Sequence, residues 1–194
     1  MKSTVILILV ILIILIIIYI NNYNNDFVYV VSDIDNAKYL VKNVDDKQLA
    51  ANMLSKIKEN IMVITNYLYD HREQYPDNLA YIAQLHKRIQ NVIVVEGAND
   101  GYYTSYSINK GEQIVFCLRS RKIKNQIHKL NLLMYVVLHE ISHVACPEYG
   151  HTELFKQIFA FITSVAIKIH IYEKIDFSHQ SVEYCGLDIT DSII

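Results

Sequence analysis

The residues best suited to chemistry are the five at positions 139–143, which read His-Glu-Ile-Ser-His. Because residues four apart lie on the same face of an α-helix, His139 and His143 can direct two imidazoles at one metal ion. Zinc suits this arrangement, because it takes three protein ligands and a water, whose pKa it lowers to roughly 7. Glu140 lies next to His139, so its carboxylate can take a proton from that water and pass it to a leaving amine. The pattern predicts a zinc site with Glu140 as the catalytic residue.

A motif with three fixed positions also occurs by chance, so its surroundings decide its meaning. It lies inside the apolar run Met134–Cys146, which predicts a largely buried helix over residues 131–146. Two histidines and a glutamate buried together are costly unless they are paired or bind a metal. Pro147 and Gly150 then predict the end of this helix.

A third histidine, His151, follows Gly150 directly. Gly150 permits a sharp reversal of the chain, which can fold His151 back over the first two histidines. Glu148 and Glu153 are the alternative third ligands. His151 follows His143 by eight positions, whereas the metzincin pattern has six, so this is not a plain metzincin site.

Together, His139-Glu140-x-x-His143 and Gly150-His151-x-x-x-Phe155 resemble the WLM and SprT-like branch of the zincin metallopeptidases. The resemblance is strongest to the WLM-type metallopeptidases of large DNA viruses, although the His143-to-His151 spacing is longer than in WLM proteins. It extends over roughly residues 27–194 and includes the segments 39–52, 104–119 and 184–187. The resemblance implies a zincin-like fold, zinc held by the three histidines, and peptide-bond hydrolysis with Glu140 as the catalytic residue.

The amino-terminal stretch Val5–Ile20 is almost entirely isoleucine, leucine and valine. As a helix it spans about 24 Å, slightly less than the ~30 Å hydrocarbon core of a bilayer. A cleaved signal peptide would need a more basic start than Lys2 and a small-residue cleavage site, which the sequence lacks. A buried core helix is the third interpretation, but no polar residue marks an outer face. We therefore predict a single-pass anchor in a viral or host membrane, which with a short linker forms a first unit, residues 1–24.

The remainder, residues 25–194, is predicted as one α+β zincin-like domain, helix-rich with a small mostly antiparallel sheet. Apolar spacing predicts a long helix from Asp45 or Asp46 to Asp70, a second from Asn78 to Ile89, and another from Thr152 to about Tyr172 after the motif helix. Strands are predicted at 27–31, 92–96, 102–108 and 113–118, the last two joined by a turn at 109–111. This hairpin either binds substrate as an added strand or is purely structural.

Two further features bear on partners and on the site. Positions 119–129 contain five basic residues and no acidic one, and SprT and WLM relatives include proteases that act on DNA-bound proteins. The formal net charge of -2 and the absence of a basic tail argue against nucleic acid as a partner, and favour a solvated loop. The three cysteines permit at most one internal disulfide. Tyr184 is either a donor to an oxyanion or part of a structural turn.

The sequence therefore predicts a membrane-anchored zinc metallopeptidase acting on protein or peptide substrates. The alternatives are a DNA–protein-crosslink-type protease that uses the basic run 119–129, and a non-catalytic membrane protein stapled by metal. The predicted anchor argues against the first alternative. Glu140 argues against the second, because a purely structural metal has no need of a base. Neither the substrate nor the oligomeric state follows from the sequence.

Overall fold

The computed structural model describes residues 2–98, 104–123, 126–179 and 181–194, without the side chains of 2–4 and 21–25. Helices and short strands follow one another in runs along the chain, as expected for an α+β protein. The helices are α1 (Lys2–Asn25), α2 (Lys47–Asp70), α3 (Leu79–Ile89), α4 (Leu130–Ala145) and α5 (Glu153–Lys168). The strands are β1 (Phe27–Val31), β2 (Lys38–Lys42), β3 (Ile93–Glu96), β4 (Tyr106–Ile108), β5 (Gln113–Phe116), β6 (Val182–Tyr184) and β7 (Leu187–Ile189).

The strands form three small sheets. The central one has the order β3-β5-β4, with β5 parallel to β3 and antiparallel to β4, so β4 is the outer strand among the described residues. The other two are antiparallel pairs, β1 with β2 and β6 with β7. The predicted α+β class and the predominance of antiparallel pairing are confirmed. Residues 102 and 103 of the predicted hairpin lie outside the described residues.

The motif helix α4 runs through the core and packs against α2, α3 and α5. Its apolar residues surround the helix on most sides, and a helix of that kind is buried. The α2 face of Leu54, Ile57, Ile61 and Ile64 is fully buried beneath it, as its spacing predicts. Leu49, near the start of the helix, is exposed.

A buried ion-pair network ties three elements together around Arg119. Its Nε lies 2.6 Å from Oε1 of Glu96, at the end of β3, and its Nη1 lies 2.6 Å from Oδ1 of Asp46. Asp46 precedes α2 at the predicted boundary, but its side chain makes no capping hydrogen bond to the helix. The carboxylate pairs with Arg119 instead, because an ionised partner offers a stronger hydrogen bond than a backbone amide does.

Cys117 and Cys185 form a disulfide that joins the end of β5 to the turn between β6 and β7. Cys185 and Gly186 occupy that turn with φ of 51° and 88°. Two consecutive residues with positive φ are typical of a two-residue hairpin turn. Tyr184 is the last residue of β6 and lies directly before this turn. The third cysteine, Cys146, is free and buried.

The amino-terminal anchor predicted for residues 1–24 is wrong. Within the described part of the chain, no helix combines the length and apolarity required to cross a membrane. The transmembrane helix in the predicted fold class and the membrane localisation are wrong for the same reason. The proposed boundary between units, at residues 24 and 25, stays a prediction.

Candidate metal centre

The helix α4 presents two histidines from one face. His139 and His143 are one turn apart and half-buried, and their Nε2 atoms lie 3.1 Å from each other. Phe155 of α5 stacks on the ring of His143 with centroids 4.1 Å apart, and meets the ring of His139 edge-on at 5.0 Å. Aromatic packing on both rings limits their rotation, so they converge on one point.

The third imidazole comes from the segment after α4. Gly150 has a φ of 81°, which reverses the chain, and Thr152 caps α5 by accepting a hydrogen bond from the Phe155 amide at 3.3 Å. Between them, His151 places its Nε2 3.0 Å from that of His139 and 3.2 Å from that of His143. The sequence prediction that His151 folds back over the other two histidines describes this geometry.

The two alternative third ligands lie elsewhere. Glu148 lines the same cleft as the histidines, but it does not belong to the group that converges on one point. Glu153 is exposed at the start of α5, where its carboxylate lies 3.4 Å from Lys156 Nζ. Among the described residues, the three histidines are the group of potential ligands close enough to share one ion.

Hydrogen bonds alone cannot satisfy this triangle of nitrogens. In a neutral imidazole, Nε2 either carries a proton or offers a lone pair. At least two of three such atoms must therefore be alike, and a like pair 3.0–3.2 Å apart cannot bond. A cation accepts all three lone pairs at once. Nitrogens bound at about 2.0–2.1 Å to a tetrahedral ion lie about 3.3 Å apart, close to the spacing observed. The triad can therefore hold a metal ion.

The surroundings keep two of these rings neutral. Burial, with a contribution from the neighbouring histidines, lowers the pKa of His139 to about 3. Burial likewise lowers the pKa of His143 to about 4, with help from His151 and the Lys110 ammonium. Neutral imidazoles are the form that binds metals, so the site is prepared for a cation at neutral pH.

Glu140 lies beside the triad and is almost fully buried, with 5% of its surface exposed. Burial raises the pKa of its carboxyl to about 7. A carboxyl group of this pKa both accepts and releases protons near neutral pH, as a general acid–base catalyst requires. It lines the same cleft as the three histidines.

The cleft has a volume of about 430 Å³. One wall consists of β4 and the residues around it, and the opposite wall is the connection between α4 and α5. Ser105 lines the first wall, and its hydroxyl lies 2.6 Å from the buried Tyr184 hydroxyl. The same oxygen accepts a hydrogen bond from the Cys117 amide at 3.2 Å. Tyr184 therefore reaches the site through Ser105 rather than by lining the cleft.

Sequence reasoning did not single out Ser105, Ser107 or Lys110, which all line the cleft. The sequence does predict the turn at 109–111, and in the structure Gly111 of this turn packs against Val144 of α4. No spacing rule reveals which of its residues face the histidines, because that depends on how the sheet packs on the helix.

Some basic residues of the run 119–129 form ion pairs with carboxylates of the same chain. Arg119 is buried against Glu96, and the Lys122 ammonium lies 2.7 Å from Asp188. Lys124 lies outside the described residues. At least two of the five basic residues therefore pair with carboxylates of the same chain.

No family model matches the chain. An uncharacterized protein, R325, of Acanthamoeba polyphaga mimivirus is 46% identical over 166 residues, which cover 86% of this chain and 84% of that protein. This chain belongs to the family of the mimivirus protein. Shorter matches join it to the uncharacterized protein 136R of Invertebrate iridescent virus 6, 38% identical over 71 residues, and to 042R of Invertebrate iridescent virus 3, 41% identical over 69 residues. These cover 36% of this chain and 39% and 42% of those proteins.

Among solved structures, the chain is similar to Wss1 from Saccharomyces cerevisiae, with a TM-score of 0.48 and 19% identity. The likeness covers 66% of this chain and 84% of Wss1. Because the similarity is weak, we base the proposed function on the geometry of the site alone. Membership in the WLM branch stays a prediction.

Proposed function

We propose that this protein is a zinc-dependent metallopeptidase that hydrolyses peptide bonds in protein or peptide substrates. The observation that carries the proposal is the triangle of three histidine nitrogens, with sides of 3.0–3.2 Å, beside the buried Glu140 in an open cleft. A purely structural metal site is closed by a fourth protein ligand. Here the three-histidine set leaves a fourth position, and the cleft gives access to it.

His139, His143 and His151 would hold the metal. Three neutral nitrogen ligands in near-tetrahedral array suit zinc. When bound, zinc would supply a Lewis acid that polarises a carbonyl and lowers the pKa of a coordinated water to about 7. The half-buried setting of His139 and His143, beneath Phe155, keeps competing solvent from one side of the site.

Glu140 would act as general base and then as general acid. Its carboxylate takes a proton from the attacking water, and the same oxygen returns that proton to the nitrogen of the departing amine. The apolar surroundings that raise its pKa to about 7 make both transfers accessible near neutral pH. Its position next to His139 on α4 fixes the distance between base and metal site.

The β4 edge would bind the substrate backbone. Within the described residues, β4 pairs with β5 on one side only, and its residues 106–107 line the cleft. An extended peptide can add to such an edge through main-chain hydrogen bonds. Ser107 Oγ also lies in this wall, buried and without a hydrogen-bond partner among the described residues.

The test is the variant Glu140→Gln, which keeps the size of the side chain but removes the base. Proteolysis of unfolded protein substrates should fall by at least about 10²-fold, while the zinc content and the melting temperature stay near those of the wild type. Loss of zinc in this variant would instead make Glu140 a ligand. A zinc-loaded wild type that cleaves no substrate would favour a metal-stapled scaffold.

A further inference from the structure

The chain between α4 and His151 lacks the packing that fixes most of the site. Residues 147–150 are all exposed, and Tyr149 retains 82% of its surface. Gly150 has no neighbour within 4 Å of the position that a side chain would occupy. A segment of this kind is expected to fluctuate unless specific polar contacts hold it, yet His151 must be held within a few tenths of an ångström to share an ion.

Lys110 provides those contacts from the opposite wall of the cleft. Its Nζ donates to the carbonyl oxygens of Cys146 at 2.9 Å and Glu148 at 2.8 Å, and lies 3.5 Å from that of His143. The ammonium also lies 4.3 Å from the centre of the Tyr149 ring, within the range of a cation–π interaction. Among the described residues, the bond from Lys110 to Glu148 is the hydrogen bond that joins the segment 147–150 to the β4–β5 hairpin.

A lysine has three N–H donors. Two of those of Lys110 bond to carbonyl oxygens at 2.9 and 2.8 Å, and a third carbonyl lies at 3.5 Å. Although Lys110 lines the cleft, most of its hydrogen-bonding capacity is therefore used within the protein. Its positive charge also lies at the carboxyl end of α4, where the helix dipole favours a cation.

The turn that carries Lys110 has an uncommon backbone. Asn109, Lys110 and Gly111 have successive φ values of 49°, 55° and 113°. Positive φ is costly for residues with side chains, so the surroundings must hold the turn in place. Gly111 is packed so closely on α4 that an added Cβ would lie 2.9 Å from Val144 Cγ1. The turn therefore sits against the end of the motif helix, and this aims Lys110 at the segment beyond it.

We propose that Lys110 is a positioning residue for the metal site, whose ammonium group holds the chain between α4 and α5 in the conformation that brings His151 to His139 and His143. This inference rests on the metal site of the proposed function, and not on the peptidase reaction. Lys110 acts through the carbonyl groups of Cys146 and Glu148 rather than as a ligand of the ion.

Arg88 offers a matched control at the same helix end. Its Nη1 donates to the Val144 carbonyl at 3.0 Å, so it also places a cation at the end of α4. Its acceptor belongs to α4 itself, so this hydrogen bond does not hold the segment 147–150. If Lys110 were only a cap for α4, removing either cation should have the same effect on metal binding.

The experiment measures the affinity of the full-length chain for Zn²⁺ by competition with a chelating dye, and the visible spectrum of the Co²⁺-loaded protein. Lys110→Met keeps the aliphatic stem and should weaken zinc binding about 10–100-fold, as is typical when a group that orients a ligand is lost. Lys110→Arg keeps the positive charge and should retain most of the zinc affinity. Arg88→Met should bind zinc with the affinity of the wild type. The Co²⁺ spectrum of Lys110→Met should resemble that of His151→Ala, because both variants lose the third nitrogen.

A double-mutant cycle separates positioning from general stabilisation. In the His151→Ala background, Lys110→Met should produce no further loss of zinc affinity. The proposal is overturned if Lys110→Met binds zinc like the wild type, if Arg88→Met has an equal effect, or if the loss persists undiminished without His151. A wild type that binds no zinc would overturn the proposed function and this inference with it.

Discussion

The variant Arg119→Met should destabilise the fold strongly, because it leaves a buried carboxylate without its counter-ion. The Glu96 side chain has 0% exposure and that of Arg119 has 3%, with 2.6 Å between Oε1 and Nε. The other Glu96 oxygen keeps one hydrogen bond, from the Lys42 amide at 2.8 Å. Removing one partner of a buried pair typically costs about 3–5 kcal/mol.

For a chain of this length, each kcal/mol changes the melting temperature by about 2–4 °C, so the expected decrease is roughly 6–20 °C. Urea unfolding followed by circular dichroism measures the free energy directly. Two controls identify the cause. Asp46→Asn removes the partner that is 27% exposed and should cost at most about 1 kcal/mol. Arg119→Met combined with Glu96→Gln removes the buried charge and should recover a large part of the loss. If the single variant lies within about 1 kcal/mol of the wild type, the network does not support the fold as described.

Two more predictions concern pH and the disulfide. In the metal-free protein, the pKa values of His139 and His143, about 3 and about 4, lie below the usual 6.5, so the folded state binds fewer protons than the unfolded state. Stability should therefore fall as the pH falls from about 6.5 towards 4, and urea midpoints that stay constant over this range would contradict the burial of these rings. The Cys117–Cys185 disulfide closes a loop of 68 residues, so replacing both cysteines with serine should cost about 2–5 kcal/mol. Reducing agent should lower the melting temperature of the wild type but not of that variant, and equal responses would exclude the disulfide.

Patterns along the chain could predict the helices that carry the site. The helices α2, α3 and α4 begin and end within one residue or two of their predicted bounds, because their apolar residues recur at helical spacing over several turns. The predicted helix 152–172 is longer than α5, which stops at Lys168. His170 has a φ of 60°, and a residue in that conformation cannot continue a right-handed helix.

The features that were missed depend on contacts distant in sequence. Strand β2 was missed, and so were β6 and β7, which have three residues each. Three residues are too few for a periodic signal, and pairing partners decide whether such short segments form strands. Asp46 lies at the predicted start of α2, but its carboxylate binds Arg119, which is distant in sequence, and does not cap the helix. The pairing of Cys117 with Cys185 likewise follows from the fold, since a count of three cysteines cannot choose the pair.

Some residues of the candidate site could likewise be predicted from local spacing, and others could not. Local spacing on one helix sufficed to bring His139, Glu140 and His143 together, because four residues make about one turn. The placement of His151 needed only a short reversal after α4. Ser105 and Lys110 belong to a hairpin that reaches the cleft through sheet packing, and no local pattern could identify them.

X-ray absorption at the zinc edge of the purified, zinc-loaded protein identifies the ligands of the metal. We expect one zinc per chain with three imidazole nitrogens and one further light atom at about 2.0–2.1 Å, and one nitrogen fewer in His151→Ala. A spectrum dominated by sulfur, a shell without imidazole scattering, or protein that takes up no zinc would refute the three-histidine site.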